Sequence, residues 1–201
     1  MNQQSNIAIL ILAAGNSTRM GKPKQLLPWK NTFLLSHTIN NALQLGSSKT
    51  FVVLGANYKR IKAEIQQETI QIVFNADWKN GLGSSIAFGV NHILNNYNVD
   101  GVFVLLADQP LINVSFLNMF FDLFKSGKKQ IIASKYGNKK LGVPALFDKC
   151  YFEELSKLNT DKGAKKLIEN HLKNVLALNA KHLISDIDTM EDYKRLYNKN
   201  H

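Results

Sequence analysis

The sequence predicts a doubly wound α/β fold with a mostly parallel sheet and helices on both of its faces. Short apolar runs recur along the chain, and each has the length of a strand buried on both faces. Stretches with helical spacing alternate with these runs, which is typical of a parallel sheet built from right-handed crossovers. No repeat, low-complexity tract or linker rich in Pro, Gly or Ser interrupts the 201 residues. We therefore expect a Rossmann-like arrangement in a single domain spanning residues 1–201.

Strands and helices are predicted in alternation. The strands are expected at residues 7–12, 51–54, 70–74, 101–106, 131–133 and 175–178, and the helices at residues 32–45, 58–67, 84–95, 114–125, 161–172 and 190–197. Ligands in such sheets bind beyond the carboxyl ends of the strands, where the strand order reverses. The loops after the first and the fourth strand are therefore the expected site.

Composition and cysteine content exclude several classes of protein. The chain is 45% hydrophobic and 20% charged, as in ordinary globular proteins. Cys150 is the only cysteine, which excludes an intramolecular disulfide, disfavours a cysteine zinc site and fits a reducing, cytoplasmic compartment. The apolar run at residues 7–14 is too short to span a membrane and no Lys or Arg precedes it, so we expect a buried strand and no membrane partner.

The net charge of +10 leaves two interpretations open. One is a nucleic-acid surface, and the other is a protein whose ligands are polyanions and whose remaining lysines are solvated. The basic residues are spread along the chain, and their densest group, between residues 125 and 140, contains one aromatic, Tyr136. This pattern favours the second interpretation, without a nucleic-acid partner.

The loop after the first strand is suited to a polyphosphate. Residues 12–24 read Leu-Ala-Ala-Gly-Asn-Ser-Thr-Arg-Met-Gly-Lys-Pro-Lys. Small residues let the backbone approach a ligand, and successive N–H groups can form an anion-binding concavity. Arg19 adds a planar fork for phosphate oxygens, and Lys24 adds a mobile point charge.

Two common phosphate-binding motifs do not fit this loop. A Walker loop has four residues between its Gly and Gly-Lys, whereas five separate Gly15 from Gly21 here, and Pro23 follows. The glycine spacing of a dinucleotide fingerprint is absent, which disfavours a nicotinamide dehydrogenase.

The loop instead resembles the signature of the molybdenum-cofactor nucleotidyltransferases, Leu-Ala-Ala/Gly-Gly-x-Ser-x-Arg-Met-Gly-x-x-Lys, at every fixed position. The resemblance implies that the loop grips the triphosphate. The binding residues would be Leu12, Ala13, Ala14 and Gly15, with Arg19 and Lys24 as catalytic cations.

Aspartates at two places are candidate magnesium ligands. Asp108 directly follows the fourth strand, and Mg²⁺ prefers one or two carboxylates together with substrate phosphates and water. A helix-capping role for Asp108 is disfavoured, because Pro110 and the residues after it place the aspartate too early for the next helix. Asp108 is therefore the first ligand and a catalytic candidate.

The second aspartate lies near the end of the chain. Asp186 and Asp188 project to the same side if their segment is extended, and Thr189 with Asp192 matches a capping box. The run resembles the family's closing Asp-x-Asp-Thr-Pro-Glu-Asp, with Met190 in place of Pro. Asp188 is the second predicted metal ligand, with Asp186 behind it.

The middle of the chain resembles the family's nucleoside and acceptor elements. Capping of the helix after residue 83 would alone explain the two serines that follow, but the resemblance implies base and ribose contacts for Asn75, Gly81, Gly83 and Ser84. Trp78 is interpreted as a loop anchor. A hairpin at residues 137–142 and the segment at residues 159–165 would shape the acceptor pocket, although Asp161 is equally explained as a helix cap.

The resemblance extends from Leu12 to Asp192 and implies a Mg²⁺-dependent enzyme that transfers CMP from CTP to the phosphate of molybdopterin and releases pyrophosphate. The Ala13-Ala14-Gly15 and Asp108-Gln109-Pro110 sequences resemble those of the family's cytidylyl branch, and this resemblance favours CTP. A molybdoenzyme or its chaperone is the delivery partner that such an activity implies. The alternatives are use of GTP, a sugar or polyol phosphate acceptor, a non-catalytic nucleotide-binding protein that inserts a cofactor, and a basic nucleic-acid-binding module.

Overall fold

A computed structural model describes residues 5–46, 49–65, 69–137, 140–180 and 183–201. The strands are β1 Ile7–Ala13, β2 Pro28–Trp29, β3 Thr32–Phe33, β4 Lys49–Leu54, β5 Ile70–Phe74, β6 Gly101–Leu106, β7 Ile131–Tyr136, β8 Lys140–Asp148 and β9 Val175–Asn179. The α-helices are α1 Leu34–Leu43, α2 Tyr58–Ile65, α3 Leu82–Asn96, α4 Val114–Leu123, α5 Phe152–Ser156, α6 Lys165–Asn170 and α7 Met190–Asn200.

One seven-stranded sheet runs in the order β5-β4-β1-β6-β8-β7-β9. All neighbours are parallel except β8, which is antiparallel to both β6 and β7. Strands β2 and β3 form a separate two-stranded ribbon. This mostly parallel sheet confirms the predicted fold class.

The strands are apolar throughout because the sheet is covered on both faces. Every residue of β1 is buried, and its side chains alternate between two apolar clusters. Ile9 and Ile11 pack with residues of α1, α2 and α4, whereas Ala8 and Leu10 pack with residues of α3, α5 and α6. Such two-sided burial replaces the apolar–polar alternation of a half-exposed strand with a continuous apolar run.

A third apolar cluster joins parts of the chain that are far apart in sequence. It contains Met20 of the loop after β1, Trp29 of β2, Ile187, and Leu196 of α7. Helix α7 starts in the predicted capping box, in which Thr189 accepts from the Asp192 N–H and Asp192 accepts from the Thr189 N–H. The cluster therefore holds the loop after β1 and the segment with the late aspartates in one assembly.

The carboxyl ends of β1, β6, β7 and β9 lie at one edge of the sheet, together with the start of β8. The hairpin expected at residues 137–142 is confirmed by the pairing of Tyr136 with Lys140, while residues 138–139 lie outside the described residues. Of the helix predicted at residues 58–67, residues 66 and 67 also lie outside them. Among the described residues, none of the helices has the length and apolar character needed to cross a membrane.

Candidate active site

The two loops singled out by the sequence meet because their strands are neighbours. Leu12 of β1 pairs with Leu106 of β6, and the Ala107 N–H donates to the Leu12 carbonyl at 3.2 Å. A cleft of about 320 Å³ opens between the loops. Its lining comprises Leu12, Ala13, Ala14, Gly15, Asn16, Lys24, Gln25, Trp78, Lys79, Gly81, Leu82, Ser85, Leu106, Ala107 and Asp108.

The glycine loop has the geometry of an anion-binding site. Among the described residues, none accepts a hydrogen bond from the N–H of Gly15 or Asn16. Ser17 adopts a left-handed conformation with φ of 55°, and its hydroxyl accepts from the Lys24 N–H at 3.0 Å. The loop thus folds back and carries Lys24 to the cleft, while leaving N–H groups available for phosphate oxygens.

Lys24 connects both predicted metal ligands. Its Nζ lies 2.5 Å from Asp108 Oδ2 and 3.3 Å from Asp188 Oδ1, and it donates to the Ile187 carbonyl at 2.9 Å. Burial of the ammonium opposes its charge, but the two carboxylates outweigh burial and raise the pKa of Lys24 above its ordinary value. Lys24 is therefore a permanent cation in this site.

The two aspartate segments are joined through the backbone, because the Ile187 N–H donates to the Asp108 carbonyl at 3.0 Å. Ile187 is fully buried, whereas Asp186 and Asp188 on either side of it are exposed. Arg19, which is 71% exposed, places Nη2 at 3.8 Å from Asp188 Oδ2. The structure thus brings together Arg19, Lys24, Asp108 and Asp188.

Asp186 has a different environment from Asp188. One of its oxygens accepts from the Gln109 side chain at 2.8 Å. Asp186 reaches solvent, but the protein atoms around its carboxyl partly desolvate it and raise its pKa. The Gln109 hydrogen bond opposes this rise, whereas the Asp108 and Asp188 carboxylates add to it. Asp188 is therefore better placed than Asp186 to share a cation with Asp108.

A family model described as the MobA-like NTP transferase domain matches residues 9–175 of the chain. The chain belongs to this family of nucleotidyltransferases. Molybdenum cofactor cytidylyltransferase of Escherichia coli is 29% identical to it over 191 residues, with 94% of each protein covered. Nicotine blue oxidoreductase of Paenarthrobacter nicotinovorans is also 29% identical, over 203 residues, with 93% of the chain and 94% of that protein covered. Because these two names denote different reactions, the substrates have to be argued from the site.

Solved structures of a similar protein extend this result. The crystal structure of Rv0371c from Mycobacterium tuberculosis has a TM-score of 0.85 at 29% identity, and the match covers 98% of the chain and 99% of that protein. A second structure, of Rv0371c in complex with manganese, has a TM-score of 0.80 at 28% identity over 96% of the chain and 99% of that protein. Divalent metal binding is therefore found among the relatives of this MobA-like chain.

The residues of the site fit a divalent metal. Asp108 Oδ1 is buried and receives no hydrogen bond within the part of the chain that the structure describes. An unpaired buried carboxylate oxygen is costly, and a hard cation would satisfy it. In the described ranges no three His, Cys, Asp or Glu side chains form a metal-binding group. A metal held by Asp108 and Asp188 would therefore take its remaining ligands from phosphate and water.

The residues for which the resemblance implies nucleoside contacts form hydrogen bonds mainly within the chain itself. Gly81 lines the cleft and precedes α3 as its N-cap, so the capping interpretation of the two serines is wrong. The Gly83 N–H donates to the Thr160 carbonyl at 2.7 Å. Asn75 is buried and donates to the Ser85 hydroxyl at 3.2 Å, while the Ser84 hydroxyl donates to the Gly81 carbonyl at 2.9 Å. Their contact with a nucleoside stays a prediction.

The segment after residue 158 also differs from its predicted form. Helix α6 begins at Lys165 with Ala164 as its N-cap, so a capping role for Asp161 is wrong. The cause is Gly163, whose φ of 56° breaks the helical conformation there. Asp161 instead lies against Gly81, where an added Cβ would stand 2.7 Å from the Asp161 Cα.

Sequence reasoning missed several residues of the cleft, of which Gln25 and Lys79 are the most polar. Lys79 could have been recognised as a cation in the loop before α3. Gln25 carried no signal, because an uncharged polar residue after Lys24 is ordinary in a surface loop. Trp78 packs on Gly55, as a loop anchor would, and also forms part of the cleft lining.

Proposed function

We propose that this protein transfers CMP from CTP to the phosphate of a molybdopterin-type acceptor and releases pyrophosphate, with Mg²⁺ as its metal. The observation that carries the proposal is the meeting of the glycine loop with the Asp108–Lys24–Asp188 cluster in one cleft. The likeness to a molybdenum cofactor cytidylyltransferase over nearly the whole chain supports this choice of acceptor. A molybdoenzyme or its chaperone would receive the product.

The reaction needs alignment and charge neutralisation more than proton transfer. An oxygen of the acceptor phosphate attacks the α-phosphorus in line, and the bond from this phosphorus to the bridging oxygen of the pyrophosphate breaks. The acceptor phosphate is already largely ionised at neutral pH, since its second pKa is about 6, so no general base is required. Mg²⁺ held by Asp108 and Asp188 would neutralise phosphate charge. Arg19 and Lys24 would stabilise the charge that develops on pyrophosphate.

Release of pyrophosphate tests the proposal directly. The purified protein would be incubated with Mg²⁺, one of CTP, GTP, UTP or ATP, and either molybdopterin or a sugar or polyol phosphate. We expect release only with molybdopterin and preferentially with CTP. Release with GTP or with a sugar phosphate would show that the protein uses a different nucleotide or acceptor within the same family of reactions. No release with any pair would leave a non-catalytic nucleotide-binding protein.

Two substitutions connect this activity to the cluster. Asp108→Asn removes a charged metal ligand, and Lys24→Ala removes the cation between the aspartates. We expect each to lower turnover by about 100-fold or more, the usual cost of losing one preorganised electrostatic group, while circular dichroism stays unchanged. Full activity of either folded variant would contradict the proposed site.

A further inference from the structure

We propose that Gln25 is a positioning residue that fixes the glycine loop in its triphosphate-binding shape. This role rests on the proposed function, because it concerns how the chain presents itself to CTP. Gln25 lines the cleft but is only 2% exposed, and its side chain turns back into the protein. The proposal assigns a specific task to a residue outside the charged cluster.

The side chain of Gln25 binds two backbone carbonyls of the loop. Its Nε2 donates to the carbonyl of Ala13 at 2.9 Å and to the carbonyl of Gly15 at 2.9 Å. The carbonyl between them, that of Ala14, accepts from the Ala56 N–H at 2.9 Å. Three consecutive carbonyls are thus bound by the protein itself.

Fixing these carbonyls determines what an anion meets in the cleft. A carbonyl oxygen turned toward a triphosphate would repel it, whereas a backbone N–H attracts it. With the carbonyls of residues 13–15 engaged, the N–H groups of Gly15 and Asn16 remain without a described partner. Gln25 therefore selects the loop conformation that attracts phosphate.

One short turn carries both Gln25 and the lysine of the charged cluster. Lys24 and Gln25 are consecutive residues of the 3₁₀ turn Lys24–Leu26. The Ser17 hydroxyl accepts from the Lys24 N–H at 3.0 Å and donates to Gln25 Oε1 at 3.5 Å. The turn thus sends Lys24 toward the aspartates and Gln25 toward the loop carbonyls.

The test compares Gln25→Met with Tyr151→Phe. Gln25→Met keeps a side chain of similar volume but has no donor for the two carbonyls. Tyr151→Phe also removes two hydrogen bonds of a buried side chain at the opposite edge of the sheet, because the Tyr151 hydroxyl donates to the Lys129 carbonyl at 2.7 Å and accepts from the Asn174 side chain at 2.9 Å. Calorimetry would measure the dissociation constant for CTP with Mg²⁺, steady-state kinetics the KM for the acceptor, and heating the melting temperature.

We expect Gln25→Met to weaken CTP binding roughly tenfold or more, since the two carbonyls lose their partner, with the acceptor KM changed less than about twofold. Tyr151→Phe should lower the melting temperature and leave CTP binding unchanged. Equal CTP binding by the wild type and Gln25→Met would overturn the positioning role. Absence of CTP binding by the wild type would instead defeat the proposed function.

Gln25→Glu supplies a second readout and covers the case in which Gln25→Met does not fold. A carboxylate at this position cannot donate, but its protonated form can donate to one carbonyl. Burial raises the pKa of such a carboxyl, so CTP affinity of the variant should recover relative to wild type as the pH falls from about 8 to about 6. A wild-type-like pH profile of CTP affinity in this variant would also overturn the proposal.

Discussion

At the scale of single residues, Gly15 is a position where the stability of the fold and the affinity for CTP can be tested separately. A Cβ built at Gly15 would meet no atom within 4 Å, and its φ lies outside the left-handed region. Gly15→Ala should therefore change the free energy of unfolding by less than about 0.5 kcal/mol. The methyl group would stand in the cleft, so we expect CTP affinity to fall roughly tenfold or more, by the cost of overpacking a close contact. Calorimetry and urea unfolding would measure both quantities, and unchanged CTP affinity would show that no phosphate approaches this backbone.

Lys24 lies within ion-pair distance of both Asp108 and Asp188, the two proposed metal ligands. Without nucleotide the wild type should bind Mn²⁺ weakly, because a like charge opposes the ion. Lys24→Met should therefore bind Mn²⁺ about tenfold more tightly than the wild type, since the ammonium that repels the ion is removed. Electron paramagnetic resonance of free Mn²⁺ measures this affinity. Lys79→Met is the matched control, because Lys79 lines the same cleft but forms no ion pair with a described residue. Equal Mn²⁺ affinity of wild type and Lys24→Met would contradict the competition.

The charged cluster of the candidate site was predictable from the sequence, whereas the buried amide of Gln25 was not. Arg19, Lys24 and Asp108 lie in the segments that follow apolar strands, where a charged side chain contributes little to core packing and is more useful for binding a charged ligand. Gln25 acquires its role only when the loop folds back and brings the carbonyls of residues 13 and 15 within reach. No local pattern encodes that contact.

At the scale of elements, the start of α3 depends on close backbone contact with the loop at residues 159–161. A Cβ at Gly83 would lie 2.5 Å from the Thr160 carbonyl oxygen and 2.8 Å from the Thr160 nitrogen. Gly83→Ala should therefore lower the free energy of unfolding by about 1–3 kcal/mol. Urea denaturation measures this loss. Asn95→Ala, at an exposed position of the same helix, is expected to stay within about 0.5 kcal/mol of the wild type. An equally small effect of Gly83→Ala would contradict the close contact.

The predicted strands were all found, but β8 was not among them. Its residues include Gly142 and Pro144, which normally disfavour a strand interior. Tertiary pairing overrides this preference: β8 fits between β6 and β7, with Gly101 opposite Asp148 and with a register shift beside Ala133. Helix α5 was missed because its five residues are too few to show a helical period.

At the scale of the whole molecule, α7 supports the site from outside it. Leu196 is 6% exposed and packs in the apolar cluster with Met20 and Ile187, which adjoin the glycine loop and the late aspartates. Leu196→Ala should lower the free energy of unfolding by about 2–5 kcal/mol. Because both halves of the site share this cluster, affinity for CTP and for Mn²⁺ should fall together in the folded variant.

Leu155→Ala is the control for this prediction. Leu155 is fully buried in a different apolar cluster, the one that contains Ala8 and Leu10, so its truncation should cost a similar free energy of unfolding, about 2–5 kcal/mol. We expect its ligand affinities to remain at wild-type values, as measured by calorimetry on the folded fraction. Equal ligand affinities in both variants would show that α7 stabilises the fold without supporting the site.

The alternation of strands and helices was sufficient to predict the parallel sheet and the edge at which the candidate cleft lies. It did not predict the strand order, because insertion of β8 beside β6 depends on contacts between residues more than 40 positions apart, such as Gly101 with Asp148. The third apolar cluster is likewise a product of long-range packing, because its members come from residues 20–34 and 187–196.

The hairpin between β7 and β8 opens at the same edge of the sheet as Asp108, yet it belongs to a separate stretch of chain. Tyr136 lies at the base of this hairpin. Burial raises the pKa of Tyr136, and the nearby Asp186 carboxylate raises it further. Because the hairpin and the loop after β1 are separate stretches of chain, substitutions in one need not disturb the other. We therefore propose that the choice of acceptor can be altered at the hairpin without redesigning the nucleotide-binding loop.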